Sequence, residues 1–498
     1  MWQFIVILAA VALAYVYYRW SRVKRFWADR GVVHDPMHPV YGSLDFLTQE
    51  NPAKWMRKMY KRFKTPYTGI WLFWRPALII NSPEIARRVL VKDSEFFRNR
   101  HLGTGTSKTD PIGGLNLFTV NDPIWSSVRR RLTSVFTSAK LKAMHSLSLT
   151  KSRELVQRIE NDLAQNKKIE IRSLFADFTT DLIGIAAFGV GSDATLTGES
   201  PMRTVTKDFM KYDFFRGWGW CSIFFFPEVV NFFRFTFFPK NSIDYFRKVY
   251  RSMLAQRGGY AGKREHNDLL DALLKMKHEA DLNGEVMDED LVIAQAVVFL
   301  QGGFDTSAVS LSFITYELAF QPELQEKMYN ELLEAKRKLG DKDFDGSTLS
   351  ELTYMNCIIK EALRKYPAMG WLDRIAEKDY QIDEKLTIPA GTPVYVNALG
   401  MQYDPEYFPD PEQFNPDRFL PENDIKPFTY MPFGEGPRNC IGMRFAYRTI
   451  WYAMAALFLK YEVRPKPRAK RPNDIELERR ALFLMPEDEL YVEFIPRQ

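Results

Sequence analysis

The sequence predicts a mostly α-helical protein with a minor β part, carried behind an N-terminal membrane anchor. Three observations lead there. Apolar residues recur every three or four positions near 125–142, 151–165, 174–188, 243–256, 267–280, 289–320, 322–338, 348–365 and 443–459, the period of helices with one buried face. Strand-like runs are short and gather near 67–80, 379–396 and 481–494. The first 18 residues carry no charge.

That opening stretch, Met1 to Tyr18, has the length of a membrane span. Tyr15, Tyr17, Tyr18 and Trp20 sit where an interfacial aromatic belt lies, and Arg19, Arg22, Lys24, Arg25 and Arg30 follow at once. A cleaved signal peptide has its basic residues before the apolar run and a small-residue cleavage site after it, and neither is present. An uncleaved anchor with the bulk of the chain on the cytosolic side is expected; a buried N-terminal helix is the alternative. Pro36, Pro39 and Gly42 then suggest a stiff connector. The expected division is an anchor at 1–20, a basic and proline-containing hinge at 21–45, and one large domain at 46–498.

Within the domain, Tyr67 to Leu72 and Ala77 to Ile80 predict two strands around a turn at Arg75-Pro76. Ser82-Pro83-Glu84 is a helix start, with an N-cap and Pro in the first turn, for a helix reaching about Val91. Phe209 to Phe238 holds 14 aromatic residues in 30 and only five charged ones. That stretch is either core or an exposed apolar patch that dips into a membrane. No repeat period or long Gly/Ser linker interrupts the chain.

Net charge is +6, too little and too dispersed for a nucleic-acid surface. Three cysteines, Cys221, Cys357 and Cys440, are widely spaced and odd in number, which argues against a disulfide framework. There is no Cys-x-x-Cys pair to hold zinc.

The richest run is Phe433-Gly434-Glu435-Gly436-Pro437-Arg438-Asn439-Cys440-Ile441-Gly442, just before a helical stretch. Backbone N–H groups and the helix dipole stabilise a thiolate at such a place. Glycines let the chain wrap close to sulfur, and Gly442 leaves room for something flat. Arg438 adds a charge able to pair with a carboxylate. A lone cysteine among glycines is commonly a plain loop residue, and that reading stands beside the first.

Three further strings are weak alone. Gly302-Gly303-Phe304-Asp305-Thr306-Ser307 places two glycines in mid-helix, at roughly 1 kcal/mol each; a kink, or space for a ligand beside an acid–alcohol pair, would account for them. Glu361-Ala362-Leu363-Arg364 puts opposite charges on one helix face. Trp125-Ser126-Ser127-Val128-Arg129 sets an indole and a cation one turn apart.

Together these strings resemble the cytochrome P450 monooxygenases. The cysteine run matches Phe-x-x-Gly-x-Arg-x-Cys-x-Gly at Phe433, Gly436, Arg438, Cys440 and Gly442. Gly302 to Ser307 resembles the oxygen-activation motif, with Gly302 where Ala is commoner; Glu-x-x-Arg and Trp-x-x-x-Arg fall in family order. The wording around Cys440 looks most like insect microsomal enzymes related to the vertebrate drug-metabolising clan.

The resemblance implies the haem-thiolate fold and haem b with Cys440 as axial ligand. It implies Asp305 and Thr306 as the proton-delivery pair, and Trp125, Arg129, Arg374, Phe433, Arg438 and Gly442 around the cofactor. Glu361, Arg364 and Arg418 (in Pro416-Asp417-Arg418-Phe419) become a supporting charge triad. Phe118, Phe304 and Phe483 are expected to line the substrate cavity, with His101 to Val120 and the aromatic segment among its walls. The implied partners are O2, a lipophilic small molecule, membrane lipid of the endoplasmic reticulum and an NADPH-cytochrome P450 reductase, with a cytochrome b-type donor as a second electron source. No Gly-x-Gly-x-x-Gly fingerprint follows a strand, so electrons come from another chain. Arg129, Arg130, Arg131, Lys140, Lys142, Arg444 and Arg448 are the expected docking face, or an ordinary solvated one.

Foreign lipophiles such as plant toxins or insecticides are the expected substrates, with endogenous steroids or fatty acids as alternatives. A haem-thiolate isomerase or dehydratase is disfavoured by the Asp305-Thr306 pair. A non-catalytic haem sensor or carrier is the rival of another class.

Overall fold

The computed structural model describes residues 2–104, 109–209, 211–263, 265–266 and 268–497, without the side chains of 48, 49 and 138–140. Part of the expected cavity wall (105–108) and the Lys140 side chain therefore lie outside the described residues.

The protein is mostly helical, and its axis is the 31-residue helix Glu289–Ala319. Asp288 caps it through the Asp290 N–H. Its apolar residues point all round because it is buried on nearly every side. It packs on the helix Ile171–Phe188 and bears against Met443–Lys460, the helix that follows Cys440. The helices expected from periodicity are present, some divided: 125–142 is Ile124–Thr133 plus Ser138–Ala143, and 348–365 is Gly346–Glu351 plus Thr353–Lys365.

One sheet has four strands: β1 (Tyr67–Leu72), β2 (Arg75–Ile80), β3 (Leu372–Ile375) and β6 (Pro393–Val396). Their order is β1-β2-β6-β3, with β2 and β6 parallel and the other pairs antiparallel. Two hairpin-like pairs join β4 (Tyr380–Gln381) to β5 (Thr387–Ile388) and β7 (Tyr461–Pro465) to β8 (Val492–Pro496). The β1–β2 turn falls at Phe73-Trp74, not at Arg75-Pro76, because β2 already pairs from Arg75. Ser82 caps the next helix through the Ile85 N–H as expected, and that helix turns π-helical over Arg88–Lys92.

The N-terminal helix runs Trp2–Arg25 and buries no residue. Two described helices are long and apolar enough to cross a membrane. Glu289–Ala319 has 78% of its apolar window buried inside the protein, so it is core; the window of the N-terminal one is not buried at all.

The expected hinge at 21–45 needs correction. Trp27 is fully buried, and its Nε1 donates to the Ile70 carbonyl at 3.0 Å. Trp71 Nε1 donates in return to the Val23 carbonyl at 3.0 Å. Gly69 has no side chain because the Trp27 ring lies 2.5 Å from where Cβ would be. His34 bridges Gly69, and Gly42 bridges Leu72. These residues extend the sheet instead of hanging between anchor and domain.

The aromatic stretch also divides. Trp220, Phe224, Phe225, Phe226, Phe237 and Phe238 are buried, whereas Phe214, Phe215, Phe232 and Phe233 are exposed. The first set is core, and the second forms an exposed apolar patch.

Candidate active site

The cysteine loop is shaped by two glycines at positive φ, Gly434 (70°) and Gly436 (75°). A Cβ on Gly436 would sit 1.9 Å from the Leu90 carbonyl oxygen, so no other residue fits. The Cys440 N–H donates to the Phe433 carbonyl at 2.8 Å and closes the loop, while the Phe433 ring rests 5.4 Å from that of Tyr447. The Cys440 side chain is accessible although protein surrounds it, so its sulfur borders an internal space. Burial pushes its thiol up; the Gly442 N–H bonded to sulfur and the Arg129 charge act against that. Nothing but Cys440 Sγ, at 3.9 Å, lies near a notional Gly442 Cβ.

Beside this loop is a cationic cluster. Arg438 packs on the Trp125 ring at 4.2 Å and donates to the carbonyls of Arg98 and Val120. Arg374, on β3, donates to the Asp373 carbonyl at 2.7 Å, and Arg100 donates to Asp373 Oδ1 at 2.6 Å. All three arginines are buried; among the described residues the Asp373 carboxylate is ion-paired with Arg100 alone, and Asp122 adds a second negative charge near Arg438. Burial first, then mutual repulsion, pushes Arg438 down to about 8 and Arg374 to about 9. Arg438 Nη1 has no hydrogen-bond partner among the described residues. A cavity of about 250 Å³ opens here, lined by Leu90, Phe97, Trp125, Arg374 and Arg438 among others. Such a buried positive excess needs anions.

Arg129 is placed differently from expectation. It donates to the Asn439 carbonyl at 2.9 Å and to Asn439 Oδ1 at 2.7 Å, so it braces the residue next to Cys440. Arg448 is also no surface residue: it is buried against Gly346 and donates to Tyr452. Arg131 pairs with Glu285. Of the expected docking face, Arg130, Lys142 and Arg444 remain exposed.

The central helix runs unbroken through its two glycines. Gly303 serves packing, with Ile183 2.5 Å from its notional Cβ, whereas Gly302 has open space within 4 Å. Thr306 Oγ1 donates back to the Gly302 carbonyl at 2.5 Å, beside that opening. Asp305 is buried, Oδ1 lacks a partner among the described residues, and burial raises its pKa to about 6 against the nearby charges of Arg172 and Arg203.

The supporting triad is assembled. Glu361 and Arg364 are wholly buried and joined by two bonds of 2.7 and 2.8 Å; Arg418 Nε stands 3.5 Å from Glu361 Oε1. Arg364 also donates to the carbonyls of Gln402 and Pro411. Phe118 and Phe483 are half-buried and lean on roof rings, Phe118 on Phe224 and Phe483 on Trp220. Phe304 is fully buried, its ring 6.3 Å from Phe209, so it belongs to the roof packing and not to open space.

The family model described as Cytochrome P450 matches residues 34–494. The chain belongs to the cytochrome P450 family. Among its relatives are Cytochrome P450 6k1 of Blattella germanica, 32% identical over 96% of this chain and 94% of the relative. Probable cytochrome P450 6g2 of Drosophila melanogaster is 29% identical over 99% and 98%. Cytochrome P450 6a2 of Drosophila melanogaster is 32% identical over 93% and 94%. The protein is thus a P450 monooxygenase most like insect enzymes, and its cofactor is haem b. The residues present fit that cofactor: its two propionates answer the excess charge of the arginine cluster, and the accessible Cys440 thiol follows Arg438 by two residues. Arg100 joins Arg374 and Arg438 in this P450, and the sequence offered no motif that singled it out.

Proposed function

We propose that this P450 hydroxylates or epoxidises foreign lipophiles at the cytosolic face of the endoplasmic reticulum, using electrons from an NADPH-dependent reductase. The aromatic roof carries the reading. The half-buried Phe118 and Phe483 are backed by the buried rings of Trp220, Phe224 and Phe237 in a continuous set of ring contacts, a wall suited to bulky apolar molecules.

Haem, when bound, supplies dioxygen binding and O–O cleavage, which a thiolate ligand favours. Cys440 would provide that thiolate, with the Gly442 N–H and Arg129 favouring its charged form. Arg100, Arg374, Arg438 and the Trp125 surface would hold the propionates. Gly302, with open space where a side chain would be, would leave room beside the reacting centre, and the Thr306 hydroxyl next to it would hold a proton there. Burial raises the Asp305 carboxyl to about 6, toward the range in which a carboxyl can relay protons. Residues 1–20 would anchor the chain, and the exposed Phe214, Phe215, Phe232 and Phe233 would rest in lipid. Exposed Lys142 and Arg444, with Lys360, border a groove of about 700 Å³ on the side of the helix after Cys440, suited to an acidic electron donor.

The test is the full chain in lipid vesicles with reductase and NADPH. Insecticides and plant allelochemicals should shift the haem spectrum and yield oxygenated product. Turnover of steroids or fatty acids alone would overturn the substrate class, and turnover without reductase would overturn the electron route.

A further inference from the structure

Asp110 is a buried carboxylate with no place in the chemistry above. It precedes the short helix Pro111–Leu115, and its side chain is 3% exposed. Oδ1 accepts from the Gly113 N–H at 3.1 Å, an ordinary helix cap. Oδ2 accepts from the Phe237 N–H at 2.7 Å, 127 residues away. A side chain at Gly113 would push the carboxylate out of this position, since its Cβ would lie 2.0 Å from Oδ2. The same Phe237 peptide is held from its other end: Arg216 donates to the Thr236 and Phe237 carbonyls, with its guanidinium over the Trp220 ring. Phe237 meets Phe118 at 6.3 Å and Trp220 at 4.8 Å.

Resting on the proposed roof over the substrate cavity, we propose that Asp110 is a latch that ties the 109–120 wall to the 214–238 roof and sets the rate at which bulky substrates pass. It is a positioning residue. Burial penalises its charge, and that cost is accepted where a neutral cap would have served the short helix alone. Arg216 supplies the compensating charge nearby. The other links between wall and roof that involve Phe237 are ring contacts, which slide; a charge-assisted hydrogen bond holds one register.

Asp110→Asn separates cap from latch. Asparagine caps helices as well as aspartate, but one of its two terminal atoms is a donor, so it cannot accept from both N–H groups. In the haem-loaded full chain, association of imidazole should be unchanged, whereas association of a triphenylmethyl-imidazole should accelerate on the order of tenfold, the worth of one such bond. Amide exchange over 230–238 should quicken while that of Glu289–Ala319 does not. Equal effects on both ligands, or unchanged exchange over 230–238, would overturn the latch. The exchange measurement needs no haem, so it judges the latch even if the haem site itself were misread. Asp110→Ala should match Asp110→Asn in both readouts but unfold at lower temperature; an Ala variant that keeps wild-type rates would also overturn it.

Discussion

Replacing Glu361 by Gln removes one negative charge and almost no volume. In the folded protein its carboxylate accepts from Arg364 Nε at 2.7 Å, from Arg364 Nη2 at 2.8 Å and from the Asn415 N–H at 2.8 Å, with Arg418 3.5 Å away. Glutamine keeps one acceptor but turns an NH2 donor toward guanidinium donors. Two cations, one wholly buried and the other nearly so, are then left without their counter-charge. Leaving a buried ion-pair partner alone costs about 3–5 kcal/mol, a large part of a margin of about 5–15 kcal/mol. With an unfolding entropy of about 2.1 cal/mol/K per residue over about 450 residues, the expected fall in Tm is about 3–5 °C. The damage should reach Cys440. Arg364 and Gln402 tie the helix Thr353–Lys365 to the segment before the cysteine loop, and Gln402 Oε1 accepts from the Met431 N–H at 3.0 Å. Circular dichroism melts of haem-loaded protein, with the haem-to-protein ratio after purification, measure both effects. A variant that melts within 1 °C of the parent and keeps full haem loading (a threshold on the scale of the expected shift) would refute the reasoning.

Four other outcomes are expected. Cys440→Ser should abolish the red-shifted band of the reduced carbon monoxide complex; survival of that band would remove Cys440 as ligand. Thr306→Ala should still bind substrate and consume NADPH, but product per NADPH should fall by up to about 10²-fold while hydrogen peroxide rises; an unchanged ratio leaves Thr306 with its Gly302 bond alone. Asp305 has a folded pKa raised from 3.8 to about 6, so the folded state binds a proton that the unfolded chain has lost between those values, and stability falls as pH rises through that window. Asp305→Asn should therefore melt higher than the parent at pH 7.5, converge with it near the lower end of that window, and turn over more slowly; a lower melting point at pH 7.5 contradicts the burial argument. Trp27→Ala should cost about 3–5 kcal/mol as a core truncation, whereas deletion of residues 2–19 should weaken vesicle binding without lowering the Tm; the reverse pattern would show that residues 21–45 form a hinge after all.

What the sequence made legible had either a long period or a fixed spacing. The central helix, the Met443–Lys460 helix and Glu361 with Arg364 were readable because periodicity or motif spacing marks them. The strand Leu372–Ile375 was not, because a four-residue run with Asp373 and Arg374 at its centre shows no apolar alternation, although both are buried in the cationic cluster. Arg100 was hidden for a related reason: its role depends on a carboxylate 273 positions away. The helix Phe214–Phe225 is apolar on too many faces to show a period. Gly302 and Gly303 looked equivalent, and only packing against Ile183 separates them. Trp27, placed among arginines after an apolar run, looked like part of a tether; its burial follows from the gap that Gly69 leaves in β1.

That burial also governs how the enzyme meets other proteins. With Trp27 seated in the sheet and Val23 bonded to Trp71, the tilt of the N-terminal helix and the attitude of the catalytic domain become a single variable. With the N-terminal helix anchored in a bilayer as proposed, the domain would not swivel freely on it. The height of Lys142 and Arg444 above the lipid would then be set once, on folding, and the proposed anchored reductase would search for them in two dimensions with orientation already restricted. Less rotational freedom remains to be lost at each encounter, and the local concentration of a correctly facing partner becomes a property of the residues between Trp20 and Trp27.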